Sequence, residues 1–147
     1  MEVRLYRCGV VRDISTPGDT ISSPQDVAGI VQKLIGRSDR ECFVCIHLNA
    51  RLRVTGAEVV SVGCLDHTLV HPREVFKGAI KRSAHAIIIA HNHPSGEIDP
   101  SMDDRKLTVR MAQVGKLLGI DVLDHLIVGG RKCFSFRRDA GMTEGLS

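Results

Sequence analysis

Two hydrophobic spacings alternate along the chain. Val27, Ile30, Val31 and Leu34 recur at i, i+3, i+4 and i+7, one face of a helix. Ser23-Pro24-Gln25-Asp26 supplies its start, with Ser as N-cap, Pro at the first helical position and an acid in the first turn, and Gly36 is a natural stop. The helical spacing returns after His71-Pro72-Arg73-Glu74, where Val75, Phe76, Ala79 and Ile80 form an inward face. It returns again over 102–118, where Leu107, Met111, Val114 and Leu118 keep the core spacing between Ser101 as N-cap and Gly119 as terminator.

Between these helices lie short apolar, β-branched runs. Residues 3–12 and 41–49 read as strands; Asn49-Ala50-Arg51 turns the second of them into another strand over 52–62. Further extended pieces fall at 65–70, 86–90, 120–128 and 132–136, with turn signals at Thr16-Pro17-Gly18-Asp19 and Gly129-Gly130. No internal repeat, low-complexity tract or interdomain linker interrupts the pattern. Strands alternating with three helices predict a single α/β layered domain. Its expected span is 21–137, after an N-terminal extension over 1–20 and before a polar, glycine-containing tail over 138–147 that is expected to be loose.

Composition narrows the class. At 147 residues the chain can bury a real core. No apolar run approaches the roughly 20 residues that span a bilayer, and the N-terminus has no apolar signal region, so the expected compartment is the cytoplasm and no membrane partner is expected. A net charge of +3 with one Tyr and no Trp offers neither a concentrated basic stripe nor a base-stacking platform; DNA is a conceivable partner that composition does not support. The five cysteines are an odd number spread through apolar segments, which suits reduced thiols rather than a disulfide framework. Cys42 and Cys45 are formally a C-x-x-C, but on a strand residues three apart point to opposite faces.

Candidate chemistry gathers after the apolar segment 86–90. His91-Asn92-His93-Pro94-Ser95-Gly96 leaves the end of that strand, and Asp104 sits in the first turn of the helix that follows. At a strand end i and i+2 share a face, so both rings can approach one ion, and a carboxylate from the next helix can return to the same point. Two imidazoles and a carboxylate are a suitable protein ligand set for a catalytic zinc with a fourth position for water. Pro94, Gly96 and Pro100 shape a tight connection. Such a water needs a proton acceptor, and Glu58 is the candidate, on a strand able to neighbour 86–90; the alternative is a polar residue on the solvent face of that strand. Ser101 can donate to an oxyanion or serve as helix cap alone. His71 is expected to cap or flank its helix. Asp124 and His125, adjacent on a strand, point oppositely; one of them can bond a ligating histidine, or simply be a satisfied structural polar group.

Glu58, then His91-x-His93, seven residues, Ser101, two residues and Asp104 resemble the JAMM (MPN+) metalloprotease motif. The fuller wording, Glu58 to Gly63, His71-Pro-Arg-Glu74, His91 to Gly96, Pro100-Ser101, Asp104 and Leu123-Asp-His125, resembles the bacterial RadC-type JAB domain over about 22–136. The resemblance implies a JAB/MPN-like, cytidine-deaminase-like domain, a curved mixed sheet flanked by about three helices. It implies Zn2+ held by His91, His93, Asp104 and water, Glu58 as general base and acid, and Ser101 steadying a tetrahedral intermediate. The activity implied is zinc-dependent hydrolysis of a peptide or isopeptide-linked protein substrate. Alternatives on the same fold are a non-catalytic interaction module and a DNA repair or recombination role. RadC-like chains usually carry an N-terminal helical region suited to DNA, and only some 20 residues precede the domain here.

Overall fold

A computed structural model describes residues 19–63 and 70–142. The expected strand over 3–12, most of the piece over 65–70, Cys8 and Cys64 lie outside the described residues. In chain order the elements are helix α1 (Pro24–Ile35), strands β1 (Cys42–Leu48) and β2 (Val54–Val62), helix α2 (Pro72–Lys81), strand β3 (Ala86–Asn92), helix α3 (Met102–Leu118), strands β4 (Asp121–Gly129) and β5 (Lys132–Ser135), and a short helix α4 (Phe136–Asp139). Among the described residues they form one α/β domain around a five-stranded mixed sheet of order β2-β1-β3-β4-β5. Only β3 and β4 run parallel, joined by α3 as the crossover; the other neighbours are antiparallel.

Every residue of β1 and β3 is buried, because helices cover both faces of the sheet. On one face, Val27, Val31 and Leu34 of α1 pack on Val44, Ile46, Ile88, Ala90 and Leu126. On the other, Val75, Phe76 and Ala79 of α2 and Met111 and Ala112 of α3 pack on Phe43, Cys45, Ile87, Ile89 and Ile127. Cys42, Cys45 and Cys133 are buried free thiols. No helix among the described residues is long and apolar enough to cross a membrane.

The helices differ from expectation in which face they bury. Ile80 is 56% exposed, whereas Gly78 is buried. A Cβ at Gly78 would overlap the Glu58 carboxylate, so α2 lies down on β2 along its Gly78 side and Ile80 turns outward. In α3 the buried stripe is Asp104, Thr108, Met111, Ala112 and Gly115, while Leu118 is 45% exposed and Leu107 and Val114 only flank the core. A side chain at Gly115 would strike the Ile120 carbonyl, so α3 approaches the sheet on its small residues. That close approach carries Asp104 and Thr108 inward. After β5 the short helix α4 is capped by Ser135 with Phe136 fully buried, and the Met142 N–H donates to the Phe136 carbonyl; the rest of the expected tail, 143–147, lies outside the described residues.

Candidate metal centre

β3 delivers His91 at its C-terminal end, fully buried on the α2/α3 face, and His93 follows in the loop, half-buried. The backbone N–H of Gly96 donates to the His93 carbonyl, closing the turn at 2.9 Å. The chain then returns through Ser101, whose side chain accepts from the Asp104 N–H while the Asp104 carboxylate accepts from the Ser101 backbone, a capping box. This box aims the carboxylate at the histidines. His91 Nε2 lies 3.1 Å from Asp104 Oδ1, His93 Nε2 3.5 Å from Asp104 Oδ2, and the two Nε2 atoms 3.1 Å apart. One ligand atom from each of the three lies within 4.8 Å of the others, a group able to hold a metal ion.

The chemistry of the donors fits a cation. His93 Nδ1 is 3.1 Å from the Glu97 carbonyl, which can only accept, so Nδ1 carries the proton and a neutral His93 turns an Nε2 lone pair inward. Lone pairs and a carboxylate converging this closely require one positive charge among them. Accordingly the Asp104 hydrogen bond, against a smaller opposing effect of burial, raises His93 above the ordinary imidazole range, and the Glu41 charge adds to the rise. Burial alone would raise the Asp104 carboxyl, but the positive charge that the facing imidazoles share when no cation is bound, together with the Ser101 hydroxyl, holds it far below the usual carboxylate range.

Ser101 joins this group. Its hydroxyl donates to Asp104 Oδ2 at 2.7 Å, so in this arrangement it steadies the carboxylate. Having a single proton, it would have to leave Asp104 to donate to an oxyanion.

Glu58 is outside the three-residue ligand group but on the same face of the sheet as His91. β1 lies between β2 and β3, so the strand of Glu58 does not neighbour that of the histidines. Glu58 pairs with Cys45, which pairs with Ile89, and its Oε1 is turned to His47 Nε2 at 3.5 Å. The row of Glu58, through Cys45 and Ile89, is two residues from that of His91, about 7 Å along β3 at about 3.3 Å per residue. His71 precedes α2 and makes no side-chain cap.

Glu41, just before β1, also bears on the group, its charge contributing to the rise at His93. Asn92 secures this segment on both sides, its Oδ1 accepting from the Cys42 N–H at 2.8 Å and its Nδ2 donating to the Arg40 carbonyl at 3.0 Å. Glu41 is exposed at the rim.

His125 was the other open position. Between Val122 and Asp124 the register with β3 slips by one residue, a bulge at Leu123. It reverses the side-chain alternation and turns His125 onto the histidine face, opposite Ile89. His125 Nε2 then meets His91 Nδ1 at 2.9 Å, and its ring stacks on Phe136 of α4. Burial holds His125 well below the ordinary imidazole range, so the ring is neutral. Asp124 faces the other way, accepting from the Ser135 hydroxyl and the Arg137 N–H.

Fold and site together define a class: an α/β domain with a metal-ion group where a central strand meets the following helix. Residues 21–142 match the RadC-like JAB domain, and the chain belongs to that family. It is 50% identical over 123 residues to a UPF0758 protein of Rubrobacter xylanophilus, covering 84% of this chain and 53% of that protein. A UPF0758 protein of Moorella thermoacetica is 50% identical over 117 residues, 80% of this chain and 51% of that one. The chain thus spans about half the length of the curated relatives it matches.

Proposed function

We propose that this domain is a zinc-dependent hydrolase of amide bonds, peptide or isopeptide, with His91, His93 and Asp104 as the protein ligands. The observation that carries the reading is the convergence of two imidazole Nε2 atoms and a carboxylate within 4.8 Å at the rim of the sheet. Bound there, zinc would supply Lewis acidity, bringing a water's pKa to about 7 and polarising a carbonyl.

This chain's own residues do the rest. Glu58, on the same face of the sheet as His91, accepts a proton from the attacking water and returns it to the leaving nitrogen. Asn92 ties the strand end between the two histidines to the start of β1 through the Cys42 N–H and the Arg40 carbonyl. Ser101 orients Asp104 and, once its hydroxyl turns, donates to the oxygen that gains charge. Glu58 also faces His47 beneath α2, where it lies against Gly78 of that helix.

The test is zinc analysis of the purified chain and hydrolysis of a panel of peptide- and isopeptide-linked substrates, with Glu41→Gln and Glu58→Gln compared. Glu58→Gln is expected to keep zinc and to lose roughly 10²–10⁴-fold in rate. Full activity in Glu58→Gln with loss in Glu41→Gln would move the proton transfer to Glu41. A chain that binds zinc yet cleaves nothing in the panel would favour a non-catalytic module.

A further inference from the structure

Resting on that metal-site reading, we propose that Thr108 and His125 act as positioning residues that fix the tautomer of His91, so that its Nε2 presents a lone pair to the cation. The chain of bonds begins at the backbone of another member of the same group. The Thr108 hydroxyl lies 2.7 Å from the carbonyl oxygen of Asp104 and 2.6 Å from His125 Nδ1. His125 Nε2 in turn lies 2.9 Å from His91 Nδ1.

The direction of every proton follows from the first contact. A carbonyl can only accept, so the single hydroxyl proton of Thr108 goes to Asp104. Thr hydroxyls often bond the carbonyl four residues back in a helix; here that ordinary bond decides the next one. With its proton committed, the Thr108 oxygen can only accept from His125, so His125 carries its proton on Nδ1. His125 is fully buried, and neither of its two partners is an anion, so its ring has no second proton to give. Its Nε2 therefore accepts, and His91 must donate from Nδ1. The His91 Nε2 is left bare, facing Asp104 Oδ1 and His93 Nε2.

His93 reaches the same state by a shorter route, through the Glu97 carbonyl. Each imidazole thus has its outer nitrogen tied to a backbone acceptor, directly for His93 and through two side chains for His91. Outer partners of this kind fix ring orientation and make the ligand nitrogen a better donor. The bulge at Leu123 serves this relay, because without the register slip His125 would face the opposite side of the sheet.

The test reads ring protons in the ¹⁵N-labelled chain by long-range ¹H–¹⁵N correlation at a pH of about 8, above the ordinary imidazole range. The expected result is His91 and His125 both protonated on Nδ1 alone, without and with zinc. In parallel, zinc affinity is measured by competition with a chromogenic chelator. Thr108→Val, which keeps the shape and removes the hydroxyl, is expected to weaken zinc by roughly 10–100-fold, and Thr108→Ser to restore it. A wild-type His91 protonated on Nε2, a doubly protonated His125, or wild-type zinc affinity in Thr108→Val overturns the relay. A chain that binds no zinc overturns the metal reading, while the ring protons still decide the relay. Absence of hydrolysis touches neither readout, because none of them uses cleavage.

Discussion

The starts of α1 and α3 are built from the same four-residue pattern. Ser23 and Asp26 form a capping box at the first, Ser101 and Asp104 at the second. In both, the carboxylate accepts from the N-cap backbone at Oδ2, at 2.9 Å and 2.8 Å, and the serine oxygen accepts from the acid's own N–H. In α1 the neighbouring Ser22 adds its N–H and hydroxyl to the same Oδ2, and the side chain stands exposed. In α3 the carboxylate is buried, Oδ1 faces His91 and Oδ2 also faces His93. A capping box uses one oxygen and leaves the other uncommitted. What that second oxygen meets separates a helix cap from a metal ligand.

The largest effect should come from removing charge while keeping the cap. Asp104→Asn retains an oxygen for the Ser101 N–H but loses the negative charge that two imidazoles share. Zinc affinity should fall by more than about 100-fold and hydrolysis disappear, with the fold intact, since outer partners alone are worth 10–100-fold and a ligand more. Asp26→Asn should leave zinc binding unchanged. Chelator competition on both variants decides, and stripping the metal from the wild-type chain should reproduce the Asp104→Asn phenotype reversibly. Equal zinc binding by the two variants would remove the distinction between the two boxes.

The contrast also marks how far the sequence can be read. Everything set by near neighbours was legible: α3 runs over 102–118 as its Ser101 cap and Gly119 stop predict, and β1 and β3 fall where apolar runs place them. So was the His91, His93 and Asp104 group, because a strand end and the next helix's first turn are close along the chain. What depends on pairing across the sheet was not. Glu58 sits in a plausible strand, but β1 intervenes between it and β3, so it shares the histidine face without adjoining the histidine strand. The bulge that turns His125 inward has no local signal, since Leu123-Asp124-His125 alternates as any strand would. Hydrophobic spacing likewise misjudged α3, whose inward stripe is small and polar because the site needs the helix close to the sheet.

A middle-sized effect separates the serines. Ser23→Ala and Ser101→Ala each remove a hydroxyl that accepts a backbone N–H, and each should cost about 1 kcal/mol. In a domain of this size that lowers the melting temperature by about 2–4 °C. Only Ser101→Ala should also weaken zinc, because its hydroxyl donates to the ligand carboxylate. Melting curves in excess chelator give the shared cost; zinc titration gives the difference. An equal loss of melting temperature with unchanged zinc affinity would reduce Ser101 to a cap.

The smallest effect is a pH dependence that isolates the purely structural box. Hydrogen bonds from the Ser22 backbone and side chain and from the Ser23 side chain hold the Asp26 carboxyl below its ordinary value of 3.8. A group whose folded pKa lies below its unfolded one binds fewer protons when folded, so it stabilises above the unfolded pKa and loses that contribution as the pH falls through the folded one. The wild type should therefore exceed Asp26→Ala in stability by a constant amount at neutral pH, and the gap should close as the pH drops below about 4. Because Asp26 is solvent-screened, the charge-dependent part of the gap should stay under about 1 kcal/mol and shrink with added salt. Urea unfolding of the two proteins across that range, in excess chelator so that Asp104 and its histidines contribute alike to both, measures it. A gap that widened on acidification would mean that the α1 carboxylate is not held by its serines, and the two boxes would then differ in more than the partner of the second oxygen.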